Sequence, residues 1–112
     1  MREDLVRSRV YCCFKCRNIV ALHDDILKKT YRDGHGRAFL FSHAMNIFEG
    51  PKADQQLNSG VHMVSNAYCS DCGQLLGRKY HKAYEERHMH KVGKIVLTKY
   101  KIAKAVDPPT YL

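Results

Sequence analysis

The chain has 112 residues, a formal net charge of +8 and a 45% hydrophobic fraction, which are the size and composition of one globular domain. No segment approaches the roughly 20 apolar residues that a membrane-spanning helix needs, and the charged start, Met1 to Asp4, does not resemble a secretory signal. Because the cysteine count of five is also odd, we expect a soluble protein of the reducing nucleus or cytoplasm rather than a disulfide-linked secreted one.

The first half of the chain is predicted to form strands between glycine-containing turns. A strand begins near Val10, and residues 19–31 fit either a short helix or an irregular pair of strands, since their apolar side chains suit both periods. The glycines within residues 33–36 predict a turn. Apolar residues of both parities then predict a strand over residues 37–48 that is buried on both faces, and a polar loop follows over residues 52–59.

The second half of the chain predicts three further strands, over residues 61–68, 75–84 and 95–102. Gly77 falls inside the second of these, which indicates that a neighbouring chain segment passes close to it. The sequence Asp107-Pro108-Pro109 does not continue a regular element. We therefore predict one domain over residues 10–104, with residues 1–9 and 105–112 loosely held.

Two Cys-x-x-Cys pairs predict a metal site. The four cysteines are Cys13, Cys16, Cys69 and Cys72. This spacing lets one tight turn direct two thiolates at a single ion, and two such turns complete a tetrahedron that leaves no position for water or substrate. Gly73 suits the positive φ of such a turn, and Asn18 could serve similarly after the first pair. We predict one structural Zn²⁺, which with four thiolates changes the net charge from +8 to +6.

The cysteines also allow other interpretations. One Cys-x-x-Cys pair alone would suit a thioredoxin-like redox site, but two matched pairs in one short chain favour metal. Cys12 could be a nucleophile or a spare ligand. Adjacent strand residues point to opposite faces, so Cys12 is expected to face away from Cys13 and to be a small apolar strand residue.

Seven histidines raise the alternative of a second metal site. His88 and His90 are close in sequence to His81, and in so basic a segment we expect them to be solvated surface side chains. His23 and His62 lie among apolar residues, so we expect hydrogen-bonded core or pocket histidines there. Neither of these two has a catalytic partner evident in the sequence.

The positive charge is concentrated in one segment of the chain. Residues 77–104 contain nine lysines and arginines against Glu85 and Glu86, a net charge of +7. Tyrosines interleave with these cations, as they do in proteins that stack and neutralise nucleic acid. The predicted partner or nucleic-acid surface consists of Arg78, Lys79, Tyr80, Lys82, Arg87, Lys91 and Lys94.

The spacing Cys-x2-Cys-x52-Cys-x2-Cys resembles that of the Yippee-like family. Further matches to the family pattern cover roughly residues 10–102. They are Tyr11, His23-Asp24-Asp25, Gly36-Arg37-Ala38-Phe39-Leu40-Phe41, Asn46, Gly50-Pro51, Ser59-Gly60-Val61-His62, Tyr68, Leu76-Gly77, Lys79-Tyr80, Ala83, Glu85 and Gly93-Lys94. The chain departs from the family where the usual Gly-Trp-Lys-Tyr becomes Gly77-Arg78-Lys79-Tyr80 and where residues 87–94 are more basic. It contains no tryptophan, so an aromatic cage like that of cereblon is not expected.

The resemblance implies a mostly β fold called a β-tent, in which two antiparallel sheets meet at an angle and one zinc held by four cysteines staples them. It also implies a nuclear or cytoplasmic regulator or adaptor without catalysis, linked to cell division or to ubiquitin-ligase assemblies. The expected function is therefore a non-enzymatic protein-interaction module, with no membrane or small-molecule substrate. The alternative is a nucleic-acid-binding zinc protein that uses the basic residues 77–101.

Methionine sulfoxide reductases share the implied fold and suggest a third function. Their chemistry needs a nucleophilic cysteine outside the zinc site, usually late in the chain. No cysteine follows Cys72 here. The resemblance to reductases therefore extends to the fold and not to the reaction.

Overall fold

The computed structural model describes residues 5–6, 9–33, 36–57, 60–106 and 110–111. Within these ranges the chain forms twelve strands and three short 3-10 turns. None of the helical turns in this described part is long and apolar enough to cross a membrane. The prediction of a mostly β fold is confirmed.

The strands, in chain order, are β1 Leu5–Val6, β2 Arg9–Cys13, β3 Ile19–Leu22, β4 Ile26–Asp33, β5 Gly36–Phe41, β6 Ile47–Glu49, β7 Ala53–Leu57, β8 Gly60–Cys69, β9 Leu75–Ala83, β10 Ile95–Thr98, β11 Ile102–Val106 and β12 Thr110–Tyr111. The 3-10 turns are His23–Asp25, Glu86–Lys91 and Lys99–Lys101.

The larger sheet has seven antiparallel strands in the order β4-β5-β10-β9-β8, with β6 and β7 both paired to the outer edge of β8. The long strand β8 accommodates two short neighbours because β6 pairs with its carboxyl-terminal end and β7 with its amino-terminal half. Strand β7 is almost wholly exposed, as suits an edge strand made of polar residues.

The smaller sheet has three antiparallel strands in the order β11-β2-β3. Two short 3-10 turns carry the chain between the sheets. Residues 23–25 link β3 to β4, and residues 99–101 link β10 to β11. Strands β1 and β12 form a separate antiparallel pair. The prediction of two antiparallel sheets is therefore confirmed.

The main hydrophobic core lies between the two sheets. The smaller sheet contributes Tyr11, Val20 and Ile102, and the larger sheet contributes Phe41 and Leu97, together with neighbouring buried residues of both. Tyr11 packs edge-on against Phe41, with ring centroids 5.6 Å apart. Burial of these large side chains favours folding by roughly 1.5–3 kcal/mol each before conformational entropy is counted.

A second cluster covers the opposite face of the larger sheet. Its centre is Tyr80, whose hydroxyl lies 2.8 Å from that of Tyr31. Lys91 is buried beside them, with its ammonium 5.3 Å from the Tyr31 ring centroid and 5.7 Å from that of Tyr80. Two aromatic faces thus offset part of the cost of removing a lysine from water.

Three predictions of strand extent are wrong. Strand β5 ends at Phe41 instead of running to residue 48, because residues 42–46 leave the sheet and bond to the turn 23–25, to β3 and to the second cysteine turn. Residues 53–57 of the predicted polar loop form the edge strand β7. The predicted strand over residues 95–102 is broken at the turn 99–101, so its ends belong to different sheets.

Other predictions agree with the structure or lie outside it. The undecided stretch 19–31 contains two strands, β3 and most of β4, which belong to different sheets and are joined by a 3-10 turn. Gly34 and His35 of the predicted turn, Ser59, and Asp107-Pro108-Pro109 lie outside the described residues. The domain boundaries, and the loose order of residues 1–9 and 105–112, stay predictions.

Candidate metal centre

The four cysteines of the two Cys-x-x-Cys pairs meet at one point. Their sulfurs all lie within 4.8 Å of one another, the one such cluster of possible ligands found in the described part of the chain. Cys13 ends β2 and Cys69 ends β8, and each partner cysteine lies in the hairpin turn that follows. One hairpin belongs to each sheet, so a metal held by all four sulfurs links the sheets directly.

The two hairpin turns have the same backbone hydrogen bonds. Cys13 N donates to Asn18 O at 2.8 Å, and Arg17 N donates to Cys13 O at 2.8 Å. The second turn repeats both bonds at Cys69, through the Gln74 carbonyl and the Gly73 amide. The positive φ predicted for Gly73 is present at 79°, whereas in the first turn it falls on Arg17, at 70°, and not on Asn18.

The geometry of the four sulfurs fits zinc. Sγ of Cys13 lies 3.6 Å from that of Cys72, and Sγ of Cys16 lies 3.5 Å from that of Cys69. A zinc tetrahedron with bonds of ~2.3 Å has sulfur-to-sulfur edges of about 3.8 Å, which is close to these two distances and within the 4.8 Å that bounds the cluster. The prediction of one four-cysteine zinc site is confirmed.

The thiols are not electrostatically equivalent. Burial opposes ionisation of Cys69, but donors including the Cys72 amide and the Asn18 side chain outweigh it and lower its pKa to about 6. For Cys16 the Asn18 amide lowers the pKa, yet burial and the neighbouring sulfurs together raise it to about 12. Burial also raises the pKa of Cys13. Clustered thiolates repel one another, so a divalent cation is needed to hold all four in the ionised form.

Asn18 and Asn46 tie the two hairpins together around the sulfurs. Asn18 Nδ2 reaches Cys69 Sγ at 3.5 Å, across from one hairpin to the other. The Asn46 side chain donates from Nδ2 to Ile19 O at 2.7 Å, and the Asn46 backbone carbonyl accepts from Ser70 N at 2.9 Å. Its φ of 55° suits asparagine better than most residues. Asn46 therefore braces both turns, a role the sequence signalled only through its match to the family pattern.

Substitution of Asn46 tests this brace. We expect Asn46→Ala to lower the free energy of unfolding by about 2 kcal/mol, since it loses the bond to Ile19 O and places alanine at positive φ. Asn46→Gly keeps the φ and is expected to lose only about 1 kcal/mol. Urea unfolding of the zinc-loaded protein measures both, and equal stability of the two variants would show that the backbone conformation contributes nothing.

The fifth cysteine is separate from the metal cluster. Cys12 is buried and lies opposite Ala103 of β11 in the smaller sheet. It belongs neither to the four-sulfur cluster nor to the main core cluster that contains Cys13. This position agrees with the expected alternation of side chains along β2.

The predicted basic surface is divided between the two faces of β9. Arg78 and Tyr80 are buried on the face that also holds Lys91. Arg78 donates from one guanidinium nitrogen to Gln55 Oε1 at 3.2 Å. Lys79 points to the opposite face and lies 3.5 Å from Glu49 Oε2.

The other residues of that surface are more exposed. Lys82 is exposed, with its ammonium 5.2 Å from the Tyr84 ring centroid. Arg87 donates to Glu85 at 3.0 Å, and Lys94 is half-buried. The structure therefore does not bring the seven predicted residues onto one face.

Two histidines are in contact on the face of the larger sheet that carries Tyr80. His62 is only 1% exposed, and its ring centroid lies 5.6 Å from that of His88. Its Nδ1 donates to Gly60 O at 3.0 Å, which places the proton on that nitrogen. Burial, and then the charges of Lys91 and Arg87, lower the pKa of His88. The expectation of a core histidine holds for His62, but His88 is half-buried and not a solvated surface side chain.

A polar cluster that sequence reasoning missed joins Ser65, His81 and Glu49. Ser65 Oγ lies 2.8 Å from His81 Nε2 and donates to Glu49 Oε1 at 3.0 Å. Glu49 Oε1 also lies 3.0 Å from the same Nε2. Burial opposes ionisation of Glu49, but the Ser65 hydroxyl, Lys79 and His81 lower its pKa below the usual value. A hydrolase triad has its acid on the other imidazole nitrogen, so this arrangement differs from one.

Together, the fold and the cluster define a β protein built around a closed four-cysteine zinc site. The family model described as "Yippee zinc-binding/DNA-binding /Mis18, centromere assembly" matches residues 9–106. The chain belongs to this family.

Named relatives agree with this assignment. The chain is 52% identical over 99 residues to a yippee-like protein of Arabidopsis thaliana, covering 88% of this chain and 93% of the relative. It is 37% identical over 89 residues to the human protein yippee-like 4, covering 80% and 70% of the two chains. The crystal structure of the Mis18 "Yippee-like" domain superposes with a TM-score of 0.68 at 15% identity, covering 88% of this chain and 95% of that one. That similarity shows the shared fold.

Proposed function

We propose that this protein is a non-enzymatic adaptor that presents a zinc-stabilised surface to a protein partner in the nucleus or cytoplasm. Four cysteine ligands complete the coordination of zinc, which suits a structural role. The Ser65, His81 and Glu49 cluster has its serine and acid on the same nitrogen, so it lacks the relay of a hydrolase. A structural zinc and a rigid pair of sheets favour recognition over catalysis.

The observation that carries this proposal is the exposure of two phenylalanines on segments that contain zinc ligands or pair with a strand that does. Phe14 lies between Cys13 and Cys16 and is 61% exposed. Phe48 is 50% exposed and stacks on Tyr68, the residue before Cys69, with ring centroids 5.1 Å apart. Exposed aromatic side chains on a rigid base are typical anchors of protein interfaces. A backbone hydrogen bond fixes the position of Phe14, since its amide donates to Lys101 O at 2.9 Å.

Replacement of these anchors tests the proposal. We expect Phe14→Ser and Phe48→Ser each to weaken binding of a protein partner about tenfold or more, because each loses a central aromatic contact. Partners are captured from nuclear and cytosolic extracts, and binding of the purified partner is then measured by calorimetry. By family resemblance, cell-division proteins and ubiquitin-ligase subunits are the first partners to test.

Leu27→Ser is the matched control, since Leu27 is also an exposed apolar residue, at 52%, but lies on β4 away from the cysteines. Zinc content and the melting temperature of each variant establish that the fold is retained. Unchanged affinity in both phenylalanine variants would exclude the zinc-proximal surface as the interface.

Nucleic-acid binding is a second candidate function. The description of the family model includes DNA binding, and the net charge of +8 favours attraction to phosphates. Among the seven residues of the predicted surface, Lys82 is exposed and Lys79 is half-buried beside Glu49, whereas Arg78 and Lys91 are buried. We expect Lys79→Glu with Lys82→Glu to abolish salt-dependent binding of DNA or RNA if this face is used. Absence of binding by the unmodified protein at low salt would exclude the second candidate altogether.

A further inference from the structure

Three neighbouring depressions lie around the β4–β5 edge of the larger sheet, outside the predicted basic surface. The first, of about 290 Å³, lies between the sheets and is lined by Lys29, Lys99 and Lys104 over Tyr11 and Phe39. The second, of about 410 Å³, is lined by Arg37, Lys99, Tyr100 and Gly36. Because Lys99 lines both, these two depressions are adjacent.

The third depression is adjacent to both of the others. It measures about 210 Å³ and is lined by Lys29, Arg32, Arg37, Tyr31 and Thr30. Lys29 joins it to the first depression and Arg37 joins it to the second. The three together form one continuous surface, which we call the basic groove and define by Lys29, Arg32, Arg37, Lys99 and Lys104.

The charge of the basic groove is not neutralised by described neighbours. No carboxylate is among the lining residues of its three depressions. In the described part of the chain, ion pairs are made by Lys79, His81 and Arg87, and none by the five groove cations. Burial, and then the charges of Arg9, Lys104 and Lys29, lower the pKa of His23, while the charge of Asp24 raises it by less, so cations outweigh the carboxylate near this ring. Such a concentration of positive charge attracts a polyanion.

Aromatic groups accompany the cations. Tyr100 is 63% exposed and lines the second depression. The Lys101 ammonium lies over one side of the Tyr100 ring, 5.4 Å from its centroid. Lys99 lies 5.7 Å from the centroid of Phe39. An exposed ring among long cationic side chains suits an unpaired base beside its phosphates, whereas an acidic peptide would use the charges alone.

We propose that the basic groove binds single-stranded nucleic acid, with its cations on successive phosphates and Tyr100 stacked on a base. This assignment rests on the second candidate function and moves its site from Lys79 and Lys82 to a surface that shares Lys99 and Tyr100 with residues 77–101. Both RNA and DNA supply this chemistry, and duplexes do not offer unpaired bases for stacking.

Binding of labelled single strands to the full zinc-loaded chain tests the proposal. Homopolymeric RNA and DNA of about 12 nucleotides match the usual site size and are titrated over a range of salt. We expect Arg37→Gln with Lys99→Gln to reduce affinity at low salt tenfold or more, and to reduce the slope of log K against log salt by about 1.4, since two phosphate contacts are lost. Tyr100→Leu is expected to reduce affinity about tenfold.

Matched controls separate this surface from other sources of binding. Lys15→Gln with Lys52→Gln removes the same charge from exposed positions outside β4 and β5. Tyr84→Leu removes another exposed tyrosine, 47% exposed, beside a lysine. Neither control is expected to change affinity more than about twofold, which is the range of weak long-range charge effects. Zinc content and melting temperature confirm that all variants are folded.

Four results would overturn the assignment. If the unmodified chain binds no strand at low salt, both the groove and the second candidate function are excluded. If only Lys79→Gln with Lys82→Gln weakens binding, the protein binds nucleic acid but the basic groove is excluded as its binding site. Equal affinity for a duplex, or for a polyglutamate peptide of the same charge, would exclude single-strand recognition at this surface.

Discussion

Removal of zinc is expected to unfold this protein cooperatively. Structural zinc contributes roughly 10–16 kcal/mol in small zinc domains, whereas a whole domain is stable by only about 5–15 kcal/mol. In this protein zinc release also disturbs the hydrophobic core. Cys13 and Cys69 end strands of different sheets, and both belong to the core between those sheets. Titration with a strong chelator, followed by far-ultraviolet circular dichroism and a zinc-release indicator, should show one coincident transition that added zinc reverses.

A pair of cysteine substitutions provides the control for chelation. Cys69→Ser removes one ligand and is expected to abolish stable zinc binding and folding. Cys12→Ser changes a buried cysteine outside the cluster, and we expect it to retain zinc with at most a modest loss of stability, of about 1–2 kcal/mol. A circular dichroism spectrum that stays native after complete zinc release would contradict the structural role of the metal.

Gly77→Ala is expected to produce the largest stability loss of any substitution that leaves the ligands intact. A Cβ at this position would overlap the carbonyl oxygen of Val96 and come within 3.0 Å of Leu97 Cα. Both neighbours are backbone atoms of β10, so only a shift of the strand could relieve the overlap. We expect a loss of about 3 kcal/mol or more, which is a fall in melting temperature of roughly 10 °C or more.

Gly73→Ala separates crowding from backbone preference. Its added Cβ would meet no atom within 4 Å, while its φ of 79° disfavours alanine. We expect a loss of only about 1 kcal/mol, from backbone strain alone. Thermal melts of the zinc-loaded variants compare the two, and a Gly77→Ala melting temperature at or above that of Gly73→Ala would show that β9 and β10 are not so closely apposed.

Some parts of the fold were predictable because local chemistry determines them. The two Cys-x-x-Cys pairs need tight turns at the ends of strands, and Gly73 has the positive φ that such a turn requires. Gly77 inside an apolar strand pattern indicated the close approach that the structure contains at Val96. The prediction of two sheets came from the resemblance to the family, because local strand propensity does not show how strands are divided between sheets.

Other parts depend on tertiary contacts that periodicity does not report. The turn at residues 99–101 interrupts a continuous apolar run because the chain passes from one sheet to the other there. Residues 42–46 leave the sheet and bond to other parts of the fold. Met45 N donates to Val20 O of β3 at 2.8 Å, and Asn46 bonds to the cysteine turns. Strand β7 is polar because it is an exposed edge.

The surface chemistry was the least predictable feature. Net charge along the chain pointed to residues 77–104, but alternation along β9 divides those cations between two faces, and Lys91 is buried against two tyrosines. The cations of the basic groove come from β4, β5, the turn at residues 99–101 and β11. They form two stretches, residues 29–37 and 99–104, that are about 60 residues apart in sequence, so the charge of the second stretch alone does not reveal that the two converge.

X-ray absorption at the zinc edge, combined with metal analysis of the purified chain, tests the central claim that four cysteines from both sheets hold one zinc. We predict one zinc per chain with four sulfur neighbours at about 2.3 Å and no nitrogen or oxygen in the coordination shell. A shell that contains histidine nitrogen or water, or a zinc content that survives Cys69→Ser unchanged, would contradict the account.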